Sequence, residues 1–191
     1  MERIDFGEFG NSRPFRIRIT NLFNGNSDYY YVKIADSSRI YGLELEHILS
    51  PNRINYLFNG NTLIEEHIAG VPGCDFIEDY LGEKELNKVR VAKEFVKFGE
   101  RCFLRLLGDM RSVNYVVDIT PDFEEVQYQV RPIDFDQQCY EGSLGVYRAH
   151  HFPDNQPVDE LVREHLNHTT IQQSRSKKRG PLRPQDRRVG Q

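Results

Sequence analysis

The chain has 191 residues, of which 38% are hydrophobic and 12% aromatic, and its formal net charge is −4. This length predicts one globular domain or two small lobes with a hydrophobic core. The charge is uneven: residues 171–191 contain seven Lys or Arg and one acid, a balance of +6, which leaves −10 for the first 170 residues. An acidic body argues against a nucleic-acid-binding domain, and we expect at most weak contact of the basic tail with phosphate-rich partners.

Cysteine content and hydrophobic patterning indicate the compartment. Cys74, Cys102 and Cys139 lie far apart and form neither a metal-binding pattern nor a disulfide framework. Reduced thiols are typical of cytoplasmic proteins. Polar and charged residues follow Met1, and no apolar run approaches the length of a membrane span. The sequence therefore predicts a cytoplasmic protein without a membrane partner.

The first third of the chain predicts three antiparallel strands. Residues 15–19 alternate apolar and basic side chains, and residues 29–34 are rich in strand-forming types. Residues 24–26, Asn-Gly-Asn, have the composition of the turn between them. A further segment, residues 6–12, contains two glycines and reads as another turn.

A helix and a hairpin are predicted next. The helix covers residues 37–49, with Asp36 or Ser37 as its N-cap. The hairpin covers residues 54–65, because the dipeptide at 59–60 is Asn-Gly, which favours the turn whose twist matches two paired strands.

One acidic residue of this helix is predicted to lie on its apolar side. Helical periodicity puts Glu44 on the apolar side and Glu46 on the opposite side. A buried acid needs a partner, because an unpaired buried charge is costly, and Lys33 is the expected partner. The alternative is that Glu44 sits at the helix edge and reaches water.

The second half predicts a long helix and another hairpin. Apolar residues recur at helical spacing from 83 to 106, and Gly108 can end that helix. Strands are predicted at 115–119 and 126–130, and a shorter helix at 159–167. The remainder, from 169 onward, is polar and basic and predicts a disordered tail.

Two polar segments, residues 108–114 and 133–136, contain the candidate catalytic and metal-binding residues. They contain an Asp and an Asn five positions apart, then a hairpin that ends in Asp-Phe-Asp. This constellation resembles the catalytic loop and metal-binding motif of the protein-kinase-like phosphotransferases, which include aminoglycoside and choline kinases and compact bacterial kinase-like proteins. The resemblance covers residues 1 to about 142 and includes the order of the elements.

The resemblance implies an α+β, two-lobed fold. An N-lobe at 1–68 would hold an antiparallel sheet, and a reduced helical C-lobe would cover 69–168, followed by the tail at 169–191. The implied cofactors are ATP and Mg²⁺.

The resemblance also implies residue roles. Asp109 would act as the base for an acceptor hydroxyl, and Lys33 would contact the ATP phosphates, with an exposed strand lysine as the plainer alternative. Asn114 and Asp134 would hold the metal. Glu44 would set Lys33.

Further implied contacts involve mainly backbone. Gly7 and Gly10 would cover phosphate, although two glycines depart from the usual three, and a plain hairpin turn is the alternative. The backbone of Glu66 and of Ile68 would meet adenine.

Three positions depart from the family pattern. Leu107 stands where related sugar and choline kinases often carry His, which bears on loop shape. Arg111 could offer a cation to the transferred phosphoryl group. Asp136 replaces a common glycine and is either an extra metal ligand or a solvated acid.

Two hypotheses from different classes follow. The first is an ATP- and Mg²⁺-dependent phosphotransferase that acts on a hydroxyl of a protein or small molecule. The second is a catalytically inactive kinase-like module that binds nucleotide or a partner.

Overall fold

The computed structural model describes residues 3–6, 14–50, 53–123, 126–140 and 142–166. The chain forms an α+β fold with two antiparallel sheets, which confirms the predicted fold class at this level. Among the described residues, none of the helices combines the length and apolar character needed to cross a membrane.

The larger sheet has five antiparallel strands in the order β1-β2-β3-β5-β4. The strands are β1 (Arg3–Phe6), β2 (Phe15–Thr20), β3 (Ser27–Ile34), β4 (Tyr56–Asn59) and β5 (Thr62–Glu66). Gly25 and Gly60, in the turns before β3 and β5, have φ values of 73° and 57°, a backbone that glycine adopts without steric cost. Both predicted hairpins are confirmed, and β3 lies at the centre of the sheet.

Helix α1 (Ser37–Leu49) follows the central strand and leads to β4. Asp36 is its N-cap, because the Asp36 carboxylate accepts a hydrogen bond of 3.0 Å from the backbone N–H of Arg39. The predicted bounds of this helix are confirmed.

The second half packs helices against a small sheet of β6 (Val71–Pro72), β7 (Tyr115–Pro121) and β8 (Val126–Pro132). Its helices are a short α2 (Gly73–Asp75) that continues into a π-helical turn (Phe76–Tyr80), α3 (Lys88–Arg105) and α4 (Gln156–His165). Phe95 and Phe98 of α3 approach the Tyr115 ring with centroid distances of 6.3 and 5.1 Å. These buried rings form the core beneath β7.

Helix α3 is shorter than predicted at both ends. It begins at Lys88 rather than near 83, because the Asn87 side chain caps it by accepting a hydrogen bond from a backbone N–H in the first turn. It ends at Arg105, where Leu106 takes a φ of 55°. The predicted stop at Gly108 is therefore wrong by two positions, since a leucine supplies the left-handed turn. Helix α4 also starts earlier than predicted, at 156 rather than 159.

The left-handed Leu106 offers a test of helix termination. Replacing Leu106 by glycine should raise the free energy of unfolding by about 1 kcal/mol, because a non-glycine residue in this conformation costs roughly 1–2 kcal/mol. The side chain is 41% exposed, so little burial is lost. Thermal unfolding should show a rise of about 2–4 °C in Tm for a chain of this size.

The matched control is Leu104→Gly. Leu104 lies in the last turn of α3 with ordinary helical backbone and is 77% exposed. Glycine there should lower stability by about 0.5–1 kcal/mol, because it adds only backbone entropy to the unfolded chain. A loss of stability in both variants would mean that Leu106 carries no relievable strain.

Candidate functional site

Lys33 is held inside the protein rather than exposed on the sheet. It lies on β3 opposite Leu63 of β5, and Glu65 is two residues further along the same face of β5. The Lys33 ammonium pairs with the Glu65 carboxylate, and both side chains are largely buried. The alternative of an exposed strand lysine is therefore wrong.

The predicted pairing of Lys33 with Glu44 is also wrong. Glu44 is exposed and accepts a hydrogen bond from the Tyr56 hydroxyl of β4. The buried acid of α1 is Glu46, which pairs with Arg105 of α3. The helix is rotated relative to the prediction, because its buried side carries two charged residues with distant partners, a glycine and a leucine. These residues are Arg39, Gly42, Leu43 and Glu46.

Arg39 occupies the position on α1 that faces the Asp-Phe-Asp segment. Its side chain is 1% exposed, and its Nε donates a hydrogen bond of 2.6 Å to Oδ1 of Asp136. Its Nη2 donates a hydrogen bond of 2.8 Å to Oδ1 of Asp134 and also pairs with Asp136. Sequence reasoning missed Arg39. The available signal was its spacing of three and four residues from Gly42 and Leu43, which places a cation on the buried side of the helix.

Close packing brings α1 to this segment. A Cβ at Gly42 would lie only 3.1 Å from the Cβ of Phe135, which is itself buried. The Ser38 hydroxyl donates a hydrogen bond of 2.6 Å to the carbonyl of Gln138. Glycine at position 42 therefore allows the helix to approach closely enough for Arg39 to reach both carboxylates.

Five charged residues form one group, which we call the charge cluster: Lys33, Glu65, Arg39, Asp134 and Asp136. Burial raises the pKa of the Asp136 carboxyl and Asp134 raises it further, whereas the charges of Arg39 and Lys33 act in the opposite direction. The influence of Lys33 on Asp136 links the sheet to the Asp-Phe-Asp segment. The structure thus groups Arg39 with Asp134 and Asp136, and it adds Arg39 and Glu65, which had no role in the predicted site.

The loop that carries Asp109 is shaped by its own side chains. Asp109 has a φ of 54°, and its carbonyl accepts a hydrogen bond of 2.6 Å from Nδ2 of Asn114. Asn114 is also tied to the next motif, because its carbonyl accepts a hydrogen bond of 3.0 Å from the N–H of Ile133. Asn114 therefore links the loop of Asp109 to the residue that precedes Asp134.

Both oxygens of the Asp109 carboxylate are engaged by a neighbour. Nε and Nη2 of Arg111 donate to Oδ1 and Oδ2 at 2.7 and 2.8 Å. The Arg111 guanidinium is half-exposed. The hydrogen bonds with Asp109, and then the charge of Asp109, raise the pKa of Arg111. Such a two-point pair is geometrically specific, and it places a cation directly beside the predicted base.

Two residues near α4 support this loop, and sequence reasoning missed both. Oδ2 of Asp154 accepts hydrogen bonds from the backbone N–H and the hydroxyl of Ser112. Nδ2 of the fully buried Asn155 donates to the carbonyl of Met110 at 2.9 Å, and its Oδ1 accepts from the Tyr115 hydroxyl at 2.8 Å. No local pattern signals these contacts, because they join positions 40 to 45 residues apart.

The segment that links β5 to β6 contains backbone N–H groups that donate to no other described residue. The N–H of Glu66 donates to the carbonyl of Asn55 at 2.9 Å, and that of His67 donates to Tyr29 at 2.8 Å. The N–H of Ile68 donates to no other described residue. Burial, and then the charge of Arg16, lowers the pKa of His67. Of the two predicted adenine contacts, Ile68 therefore keeps a free N–H, whereas the N–H of Glu66 is already used.

Part of the predicted site falls outside the described residues. Gly7 and Gly10 lie in the stretch 7–13, and the basic tail lies in 167–191.

The remaining acceptors fit a metal that also binds phosphate. Within the described ranges, no group of three or more His, Cys, Asp or Glu could hold a metal by itself. Mg²⁺ in nucleotide sites needs only one or two carboxylates, since phosphates and water supply the other ligands. Oδ2 of Asp134 and Oδ2 of Asp136 accept no hydrogen bond from any described group, and these side chains are 31% and 33% exposed. Asp134 and Asp136 thus each keep one carboxylate oxygen that could bind a metal ion.

Comparisons with known proteins add no family assignment. No protein-family model matches the chain, and the search of curated proteins also finds no match.

Proposed function

We propose that this protein is an ATP- and Mg²⁺-dependent phosphotransferase with a minimal, kinase-like fold, acting in the cytoplasm on a hydroxyl of a protein or small molecule. The observation that carries the proposal is the grouping of Lys33 with two carboxylates whose outer oxygens are available. Arg39 orients Asp134 and Asp136 from behind, as outer partners commonly orient metal-binding carboxylates. All three cysteines are unpaired, as expected of a cytoplasmic protein.

The proposed architecture has two lobes with the cleft between them. The five-stranded sheet and α1 would form the first lobe, at 1–68, and the helices with the small sheet would form the second, at 69–168. The charge cluster spans both parts, since Lys33 and Arg39 come from the first and Asp134 from the second. The free N–H of Ile68, on the segment that joins them, is suited to an adenine ring.

Each residue then has a role that its surroundings support. Lys33 contacts the phosphates of ATP, and Asp134 with Asn114 holds Mg²⁺. Bound Mg²⁺ would neutralise phosphate charge and orient the γ-phosphoryl group. Asp109 accepts the proton of the attacking hydroxyl, and Arg111 places a cation near the transferred group.

One observation favours the second function, a nucleotide-binding module without turnover. Asp109 is occupied at both oxygens by Arg111, and Lys33 is occupied by Glu65. The Asp109 pair must loosen before Asp109 can take a proton from substrate, whereas Lys33 keeps further N–H donors for phosphate while it is paired with Glu65. A module that only binds nucleotide does not need the Asp109 pair to open.

Nucleotide binding is tested by thermal unfolding with and without Mg²⁺ and ATP. The wild-type Tm should rise, because a ligand that binds only the native state stabilises it by mass action. In Asp134→Asn that rise should largely disappear, since the substitution removes the charged metal ligand. The Tm without ligand should stay close to wild type, because the asparagine oxygen can still accept from Arg39 and from the N–H of Asp136.

Asp118→Asn is the matched control. Asp118 lies on β7 and contacts Thr120 rather than the charge cluster. Its variant should respond to Mg²⁺ and ATP as the wild type does. An unchanged rise in Tm for Asp134→Asn would contradict the assignment of Asp134 to the metal site. No rise in Tm for the wild type would contradict the proposed function. Transfer of labelled phosphate from ATP, to the protein itself or to water, then distinguishes the enzyme from the binding module.

A further inference from the structure

Arg39 is a buried cation placed between two carboxylates that could otherwise each attract a metal ion. Asp134 and Asp136 are separated by one residue, and Oδ1 of each accepts a hydrogen bond from the same guanidinium. An arginine guanidinium stays protonated in proteins, and here it lies against the carboxylates of Asp134 and Asp136. The guanidinium is therefore a permanent positive charge at this position.

The two carboxylates are not held equally. Asp136 accepts from Nε of Arg39 at 2.6 Å and also pairs with Nη2. Asp134 accepts from Nη2 at 2.8 Å and from the backbone N–H of Asp136 at 3.2 Å. Asp136 is thus the main counter-ion of Arg39, whereas Asp134 keeps more of its charge for another cation.

The charge balance of the cluster points the same way. Lys33 and Arg39 supply two positive charges. Glu65, Asp134 and Asp136 supply three negative charges, which leaves a net charge of −1. A first divalent ion beside Asp134 changes this balance to +1, before the charges of the nucleotide phosphates are counted. A second, beside Asp136, would face both that ion and the guanidinium of Arg39, and charges of like sign repel strongly where water is scarce.

We propose that Arg39 takes the place of a second metal ion, so that the cleft binds nucleotide with one divalent cation, held by Asp134 and Asn114, while Asp136 serves as the counter-ion of Arg39. This proposal rests on the proposed function, since it requires a bound nucleotide and metal. In this arrangement, helix α1 supplies the cation, Arg39. Strand β5 supplies Glu65, the acid that pairs with Lys33.

Counting bound Mn²⁺ tests the proposal without any measurement of turnover. The full chain is mixed with a non-hydrolysable ATP analogue and titrated with Mn²⁺, and free Mn²⁺ is followed by electron paramagnetic resonance. Wild type and Arg39→Lys should bind one ion for each analogue, because both keep the cation. Arg39→Met removes the charge at similar volume and should bind a second ion, or bind the first at least about tenfold more tightly.

A second pair of variants decides the question if Arg39→Met does not fold. Asp134→Asn and Asp136→Asn each remove one negative charge and keep a hydrogen-bond acceptor. The loss of Mn²⁺ affinity should be at least about tenfold larger for Asp134→Asn, since only Asp134 is a proposed ligand. Equal losses in the two variants would overturn the proposal.

The remaining outcomes separate this proposal from the proposed function. Two Mn²⁺ ions in the wild type, or one unchanged ion in Arg39→Met, would overturn the role of Arg39 and leave the phosphotransferase intact. Binding of the analogue without Mn²⁺ would overturn the one-ion site and favour the binding module. No binding of the analogue under any condition would overturn both.

Discussion

Asp109→Asn should lower the turnover of phosphoryl transfer by about 10²–10⁴-fold while leaving the affinity for Mg²⁺ and ATP nearly unchanged, since general-base catalysis contributes factors of this size. Asparagine keeps the shape and one oxygen that can accept from Arg111, but it cannot take a proton from a hydroxyl. It also tolerates the left-handed backbone at this position, where φ is 54°. Steady-state rates and analogue binding, measured on the same preparation, check both halves of the expectation.

Asp122→Asn provides the control for this substitution. Asp122 lies in the turn after β7, is exposed, and accepts a local hydrogen bond from the N–H of Phe123. Its variant should match the wild type in rate and affinity. Equal rates for wild type and Asp109→Asn would contradict the assigned base, and would indicate another base or, if no turnover is seen in either, a binding module.

Glu46→Leu should destabilise the fold by about 3–5 kcal/mol, because it leaves Arg105 as an unpaired charge in the interior. The Arg105 guanidinium pairs with Glu46, and both side chains are almost completely buried. Burial lowers the pKa of Arg105 to about 10, so the side chain stays charged at neutral pH. For a chain of this size the loss corresponds to roughly 6–20 °C in Tm.

The double variant Glu46→Leu with Arg105→Met should recover most of that loss, since apolar residues of similar volume often replace a buried ion pair without cost. The control is Arg163→Ala, which breaks an ion pair with Asp159 at the surface of α4, where the arginine is mostly exposed. That variant should change stability by less than about 1 kcal/mol. A double variant no more stable than Glu46→Leu would show that the pair itself contributes net stability.

Elements with local causes were predictable from the sequence. The hairpin of β4 and β5 follows from Asn59-Gly60, because glycine accepts the φ of 57° that the tight turn requires. Helix α1 begins where Asp36 can cap it. The pairing of Asn114 with the carbonyl of Asp109 likewise spans only five residues. In each case the residues that make the contact are neighbours in the chain.

The buried side of α1 was not predictable in the same way. Helical periodicity predicts that Glu44 faces inward with the apolar residues of α1, yet Ile48 and Leu49 are exposed. Arg39 and Glu46 are buried instead. Their partners of opposite charge, Asp136 and Arg105, lie 97 and 59 residues away in sequence. A charged residue is tolerated inside only where an opposite charge meets it, and this depends on the packing of distant elements.

Sequence alone therefore determined the α+β class, most strand and helix positions, and the polar motifs that carry Asp109, Asn114 and Asp134, because these depend on local periodicity, capping and turn chemistry. Tertiary structure decided which charges meet. Pairing of β3 with β5 placed Lys33 beside Glu65. Arg39 reaches Asp134 and Asp136 because the glycine at position 42 lets α1 pack closely on Phe135. Long-range ion pairs depend on helix rotation and on the spacing between packed elements, which no single segment of the chain encodes.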